Sequence, residues 1–522
     1  MFENNNVHTS QQMPQQGPQT PVQPPTSRRA RWNQRLMSGV TAGKTTLPNW
    51  FATYAVGAYA VALLGVNMVY SSYAMEWYFW LFGIAWVAGF FILSVKFSQD
   101  WSIRYIRNEK NFEKKLFWTG FSIRASYAVF IYFFYLSLTG QPHEFSAADS
   151  ISYIDVAIDF SRFLDNNILW STLIDYASSN MGDLGYPLAI MWPVRWFGPE
   201  AAVMIILFSN AFIGAYTSVV VYRMGCRAFG DNTARIAAIF CMLHPVLICY
   251  VGLTLKEVLM TFLVVLFIDL ADRMMRDRKF TFAAIAPMVL VGLSLFLFRT
   301  VLGMIAFMAL FFALVMMDRK IVSWGKKLTF GVLIAGILLF SVSDNIMRDI
   351  QKITDTDVIE QQEISMTKRY GGEKRGKLSG NAFAKYASTA VFAPLIFTIP
   401  FPTMVDIGFQ QDMRLIHGGN WMRNVMSGFV ILAMFMLLLN GDWRKYTLPL
   451  AMLLGYLLML AFTQFAHSLR FHIPVMPFEM MFAAYAIVNM RKKHRNWYMI
   501  WCLLCIVMCF GWNWFKLAGR GL

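Results

Sequence analysis

The run MEWYFWLFGIAWVAGFFILSVKF, Met75 to Phe97, decides the fold. After Glu76 it is almost uncharged for about 20 residues, the length an α-helix needs to cross a hydrocarbon core. Its aromatic residues crowd the leading end, where amphipathic rings settle at a membrane–water interface. NWYMIWCLL, from Asn496, repeats the pattern near the end of the chain.

Runs of the same kind recur along the chain. Spanning helices are expected near 51–71, 77–97, 117–138, 200–222, 234–253, 257–272, 280–297, 300–317, 326–344, 421–440, 446–465, 473–490 and 496–515. The sequence therefore predicts an all-α polytopic membrane protein of about 13 transmembrane helices with two large extracytoplasmic loops. Composition agrees, since 57% of the 522 residues are hydrophobic and mean hydropathy is +0.46. Soluble domains sit nearer about 45–50% apolar.

The formal charge of +16 would suggest nucleic acid in a soluble chain. Here the basic residues flank apolar runs and form no footprint, so topology explains them and no nucleic-acid partner is expected. Arg104, Arg107, Lys110, Lys114 and Lys115 mark one loop, Arg223 and Arg227 another, and Arg491, Lys492, Lys493 and Arg495 a third. The alternate short loops are nearly free of Lys and Arg. The positive-inside rule then puts the amino terminus in the cytoplasm. Residues 386–408, YASTAVFAPLIFTIPFPTMVDIG, are apolar but broken by three prolines. Counting them as a span would turn the last basic loops outward, so they are read as re-entrant or interfacial.

The organisation that follows is a disordered Gln/Pro-rich tail over 1–46, two spans and a basic loop over 47–116, and a membrane core over 117–344. The core contains a first outer loop at 139–199. A second outer loop with the re-entrant segment covers 345–420, and the carboxy-terminal spans cover 421–522. The six cysteines lie in apolar runs or short basic loops and suggest no disulfide framework.

Charges at the outer ends of the spans carry the chemistry. SAADSISYIDVAIDF, Ser146 to Phe160, holds Asp149, Asp155 and Asp159. Asp149 opens a helical pattern, and its plainer role is an N-cap. Asp155 and Asp159 share one helix face and read as solvated. The functional reading of Asp149 is a general base whose carboxylate takes a proton from an attacking hydroxyl. In TLKEVLMTFLVVLFIDL, Lys256 and Glu257 sit where an apolar run begins, a costly place for charge. Lys256 can snorkel to the interface; Glu257 cannot do so as easily. Arg299 interrupts SLFLFRTVLGM, and Arg470 and His472 lie in AHSLRFHIPVMPFEMM. These cations, on the outer side against the positive-inside trend, suit a phosphate held at the membrane surface, where Arg offers a bidentate fork. Anionic lipid headgroups are the plainer ligand. The histidines show no metal-ligand spacing, so no metal site is assigned. P-loop, GxSxG and HExxH motifs are missing from the sequence.

Three stretches give a family resemblance. They are AADSISYIDVA, the Gly-Tyr-Pro segment that begins DLGYPLAIMWP and runs on through two spans to GLTLKE, and the late RFHIPVMPFEMMFAAYAI. Their order and pattern resemble the GT-C membrane glycosyltransferases, which include protein mannosyltransferases and lipid A aminoarabinose transferases. The chain departs from that family in its two extra leading spans and in an Asp-Ser where many members show a pair of acids.

The resemblance implies a GT-C-like bundle in the bacterial plasma membrane. It implies inverting transfer of a sugar from a polyprenyl-phosphate donor to a glycan, lipid or protein acceptor at the outer face. Asp149 would be the base, with Lys256, Glu257, Arg299, Arg470 and His472 around the phosphate. No cofactor is required, and a divalent metal is left open. A polysaccharide polymerase or ligase is the nearest alternative. A lipid or solute transporter would instead place charges at mid-membrane on several spans, where this sequence is nearly charge-free apart from Asp269. A non-catalytic assembly subunit would tolerate loss of Asp149.

Overall fold

In a computed structural model, the structure describes residues 46–104, 109–277, 280–316, 331–332, 336, 395–408, 411–462, 468–490 and 494–518. The described residues are helical apart from short connections, one extended segment at 395–408 and an isolated bridge between Ala74 and Val405. The tail over 1–46 up to residue 45, nearly all of the 326–344 span and most of the second long loop lie outside the described residues.

The helices are α1 (Asn49–Val69), α2 (Trp77–Arg104), α3 (Glu109–Thr139), α4 (Ala148–Asp165), α5 (Leu169–Phe197), α6 (Pro199–Ala228), α7 (Asp231–Leu243), α8 (Pro245–Cys249) and α9 (Glu257–Asp277). They continue as α10 (Phe282–Phe296), α11 (Thr300–Met316), α12 (Gln411–Leu415), α13 (His417–Asn440), α14 (Thr447–Phe462), α15 (Leu469–His472), α16 (Met476–Asn489) and α17 (His494–Ala518).

Seven of these stretches are long and apolar enough to cross a membrane, with α15 and α16 forming one of them, and an eighth is made by α7 with α8. Among the described residues, the length and composition of these helices therefore account for seven or eight of the expected 13 or so spans. Helix α9 carries Asp269, Asp272, Arg273, Arg276 and Asp277 in its last turns, which breaks its apolar run. Helices α10 and α11 have 15 and 17 residues, short of the roughly 20 a crossing needs.

The expected straight span at 234–253 is bent by 48° where α7 meets α8. Pro245 has no N–H to return to the Cys241 carbonyl, so the ladder fails there. Arg124 of α3 repairs the break: its guanidinium donates to the Cys241 carbonyl at 3.1 Å and the Met242 carbonyl at 3.0 Å. A cation at a helix C-terminus also suits the helix dipole. A cavity of about 20 Å³, with Arg124, Thr217 and Tyr250 in its lining, lies beside this joint.

The first long loop is a helical hairpin. Helix α4 begins at the expected position. Helix α5 was not anticipated, because Pro187 and Pro193 punctuate its 29 residues. Gly198, at φ 79°, makes the turn from α5 into α6, and Pro199 follows at the first helical position.

The described part of the proline-broken segment, 395–408, is mostly buried and non-helical. Its backbone is served by side chains from spans. Asn424 donates to the Pro400 carbonyl at 3.2 Å, Asn513 donates to the Pro402 carbonyl at 3.0 Å, and the Met404 amide donates to Asn513 at 2.7 Å. Irregular backbone at membrane depth survives only where protein groups satisfy it in this way.

One apolar core runs from Leu47 to Leu517 and includes both leading spans. Tyr59 of α1 meets His417 Nε2 at 2.8 Å, and Trp421 donates to the Ala55 carbonyl at 3.2 Å. Helices α2 and α13 cross closely, where a Cβ on Gly418 would lie 2.6 Å from the Gly83 carbonyl. Small residues at such crossings let backbones approach.

Candidate active site

Asp149, Glu257 and Arg470 meet at one end of the bundle. Asp149 lies in the first turn of α4, Glu257 opens α9 and Arg470 sits on the four-residue α15. Arg470 Nη1 pairs with Asp149 Oδ2, and Arg470 Nε pairs with Glu257 Oε1. The Asp149 side chain is 55% exposed and that of Glu257 0%, so the cluster runs from the surface into the core. Glu257 Oε2 is buried without a hydrogen-bond partner among the described residues.

Asp149 is not the N-cap of α4. That residue is Ala147, and it makes no side-chain capping bond. Asp155 and Asp159 are exposed on the outer face of α4, as their spacing suggested, and Asp159 pairs with Arg162 at 3.5 Å.

Lys256 faces a different set of partners. Its ammonium donates to the Gly182 carbonyl at 2.9 Å and the Phe298 carbonyl at 2.7 Å, and it pairs with Asp183. Those contacts use the three donors a lysine has. Lys256 therefore ties α5 to the α10–α11 turn and has no N–H to spare for a phosphate. Tyr153 of α4 also donates to Asp183, at 2.9 Å. Burial pushes the Asp183 carboxyl up, but Lys256, Tyr153 and Arg299 together outweigh it and hold that carboxyl below its ordinary value.

Arg299 lies next to this tie. It donates to the Tyr456 hydroxyl at 2.8 Å and stacks over Phe471, 4.4 Å from the ring centre. Among the described residues it forms no direct ion pair with a carboxylate, although the Asp183 carboxylate, held by Lys256, lies within its electrostatic reach.

His472 is not part of the cluster. It is fully buried, and its Nδ1 meets Arg423 Nη2 at 2.9 Å. Arg423 in turn grips Glu479 through Nε and Nη2 at 3.1 and 2.9 Å. This buried pair lies inside candidate spans, as does Arg124, so span interiors hold more charge than expected. Lone charges within apolar runs were the signal for them. Asp269 is buried at the other end of the bundle, paired with Arg227 and with Arg273 at 2.6 Å.

Glu144 was also not singled out. It is buried, and both its oxygens accept from the Ser150 hydroxyl, at 2.6 and 2.8 Å. Burial lifts its carboxyl to about 7. The cysteines in the described residues are all unpaired. Among the described residues, no group of three or more His, Cys, Asp or Glu could hold a metal ion.

No family model, curated protein or solved structure matches this chain.

Proposed function

We propose that the protein is a membrane glycosyltransferase of the GT-C type. In this reading it moves a sugar from a polyprenyl-phosphate donor to a hydroxyl of a glycan, lipid or protein at the extracytoplasmic face of a bacterial plasma membrane. The observation that carries the reading is the convergence of Asp149, Glu257 and Arg470, drawn from residues up to 321 apart in the chain, on one half-exposed cluster. The distribution of Lys and Arg in the loops supports an outward-facing site and a cytoplasmic amino terminus. The apolar helices too short or too charged to qualify alone leave room for the full complement of about 13 spans.

In this mechanism the acceptor hydroxyl attacks the anomeric carbon from the face opposite the phosphate. Its proton passes to the Asp149 carboxylate. The bond from that carbon to the phosphate oxygen breaks, and polyprenyl phosphate leaves with the electron pair. Arg299, in no direct ion pair among the described residues, attracts the phosphate and steadies the charge that develops on it. A phosphate oxygen that competes for Arg470 would free the Asp149 carboxylate from its ion pair to meet the acceptor hydroxyl. The unpartnered Glu257 Oε2 fits a cluster completed by a ligand, since a buried acceptor without a donor is costly.

The test is consumption of radiolabelled polyprenyl-phosphate monosaccharides by purified protein in vesicles, with a total membrane extract as acceptor source. Asp149→Asn protein that works at the wild-type rate sinks the proposal.

A transporter is the second reading, favoured by Arg124, Arg423 and Glu479 inside candidate spans. Arg423 and Glu479 neutralise each other and Arg124 serves backbone carbonyls, so none resembles a free coupling charge. Substrate flux across the vesicle membrane that survives Asp149→Asn would favour transport.

A further inference from the structure

The turn that presents Asp149 is held from a distance. Asp412 of α12 accepts from the Phe145 amide at 3.2 Å, the Ser146 amide at 3.1 Å and the Ser146 hydroxyl at 2.6 Å. An N-cap side chain would hold amides inside the first turn, and α4 has no such bond; Asp412 instead holds the two residues that lead into it. Asp412 therefore supplies, from 266 residues away, the anchoring that the local sequence lacks. Glu144 fastens the inner side of the same turn through Ser150, the neighbour of Asp149.

Asp412 itself stands on a firm base. Two residues on, Arg414 pairs with Asp406 and packs over Phe79 of α2, 4.8 Å from the ring centre. The Arg414 carbonyl meets His417 Nδ1 at 2.6 Å, and Trp86 donates to the Leu415 carbonyl at 3.2 Å. A line of contacts thus runs from α2 and α13 through Asp412 to residues 145–146 and on to Asp149. It ends at Arg470 and leaves little freedom along the way.

We infer that Asp412 is a positioning residue for Asp149: it fixes the first turn of α4 so that the Asp149 carboxylate is aimed at the reacting hydroxyl. This rests on the reading of Asp149 as base. A plain staple between two loops would contribute stability without touching the rate of an intact protein. A positioning residue controls the rate itself, because displacement of about 1 Å can cost on the order of 100-fold.

The experiment uses full-length protein in lipid nanodiscs, with Asp412→Asn and Asp412→Ala. Amide hydrogen exchange is followed at 145–152 and, as an internal control, in α13. Transfer from a radiolabelled polyprenyl-phosphate sugar is measured below the unfolding range. Expected are faster exchange at 145–152 with α13 unchanged, a kcat lowered by about 10–100-fold and an unchanged KM. Asn, which keeps one acceptor oxygen, should lose less than Ala. Unchanged exchange at 145–152 overturns the inference, and so does faster exchange with wild-type kcat. If exchange responds but wild-type protein consumes no donor, the Asp149 reading falls, and Asp412 is a staple only.

Discussion

Arg470 holds Asp149 with one nitrogen and Glu257 with another. The two acids come from different helices, and neither position hints at the other in the sequence. Asp149 is exposed and changeable; Glu257 is buried and depends on its partner. Substitutions at the three positions should therefore separate chemistry from folding.

Asp149→Asn is nearly isosteric and leaves Arg470 still paired with Glu257. Transfer should fall by about 10²–10⁴-fold, the usual worth of a general base. The thermal midpoint should stay close to wild type. Asp149→Glu should recover part of the rate. Rate and melting curve from the same preparation check this.

Arg470→Ala should behave differently, because it strands a buried carboxylate. Breaking a buried pair by removing one partner costs about 3–5 kcal/mol. Loss of folded protein is expected before any loss of turnover can be read. Glu257→Gln combined with Arg470→Ala should restore much of that stability without restoring transfer. A thermal-shift series on the two single variants and the double variant tests this.

Lys256 and Arg299 invite opposite expectations although both are cations beside the site. Lys256→Met removes a tie between α5 and the α10–α11 turn and should lower stability by about 2–4 kcal/mol. The apparent affinity for donor in the remaining folded protein should be unchanged. Arg299→Gln should leave stability within about 1 kcal/mol and raise KM for the polyprenyl-phosphate donor. Steady-state kinetics beside melting curves separates the two.

Glu144 predicts a pH dependence. Burial raises its folded-state value to about 7 from an ordinary 4.5. Arg470 opposes that rise and Asp412 adds to it. Between those values the folded chain keeps a proton that the unfolded chain would release, so folding is favoured less as pH rises. The stabilisation is complete below about pH 4.5 and lost as pH passes through about 7. Glu144→Gln, which keeps a polar partner for Ser150, should flatten this part of the profile. Melting midpoints from pH 4.5 to 8 check the sign.

Membrane character and the helices were legible because a crossing imposes a length and a composition that local sequence must meet. Legibility failed where a neighbour overrides that rule. Helix α5 contains two prolines, yet its packing against α4 and α6 keeps it helical. The span at 234–253 looked unbroken, yet it bends at Pro245, and Arg124, which makes the bend tolerable, lies in another helix. At the site, Asp149, Glu257 and Arg470 stood out as charges at the ends of apolar runs, and the structure brings them together. Lys256 looked the same in sequence, and only its three acceptors show that it is committed elsewhere. Asp412 had no local signal, because its partners are backbone amides, which every sequence has.

One guanidinium divided between two acids also constrains inheritance. A lineage that lost Arg470 would strand Glu257, while one that lost Asp149 would keep a folded chain. Among descendants, positions 257 and 470 should change together, and position 149 should be able to drift alone once its activity is no longer needed. On the proposed reading of Asp149 as base, a relative with Arg and Glu retained but Asp149 replaced would be a folded chain that had given up its chemistry.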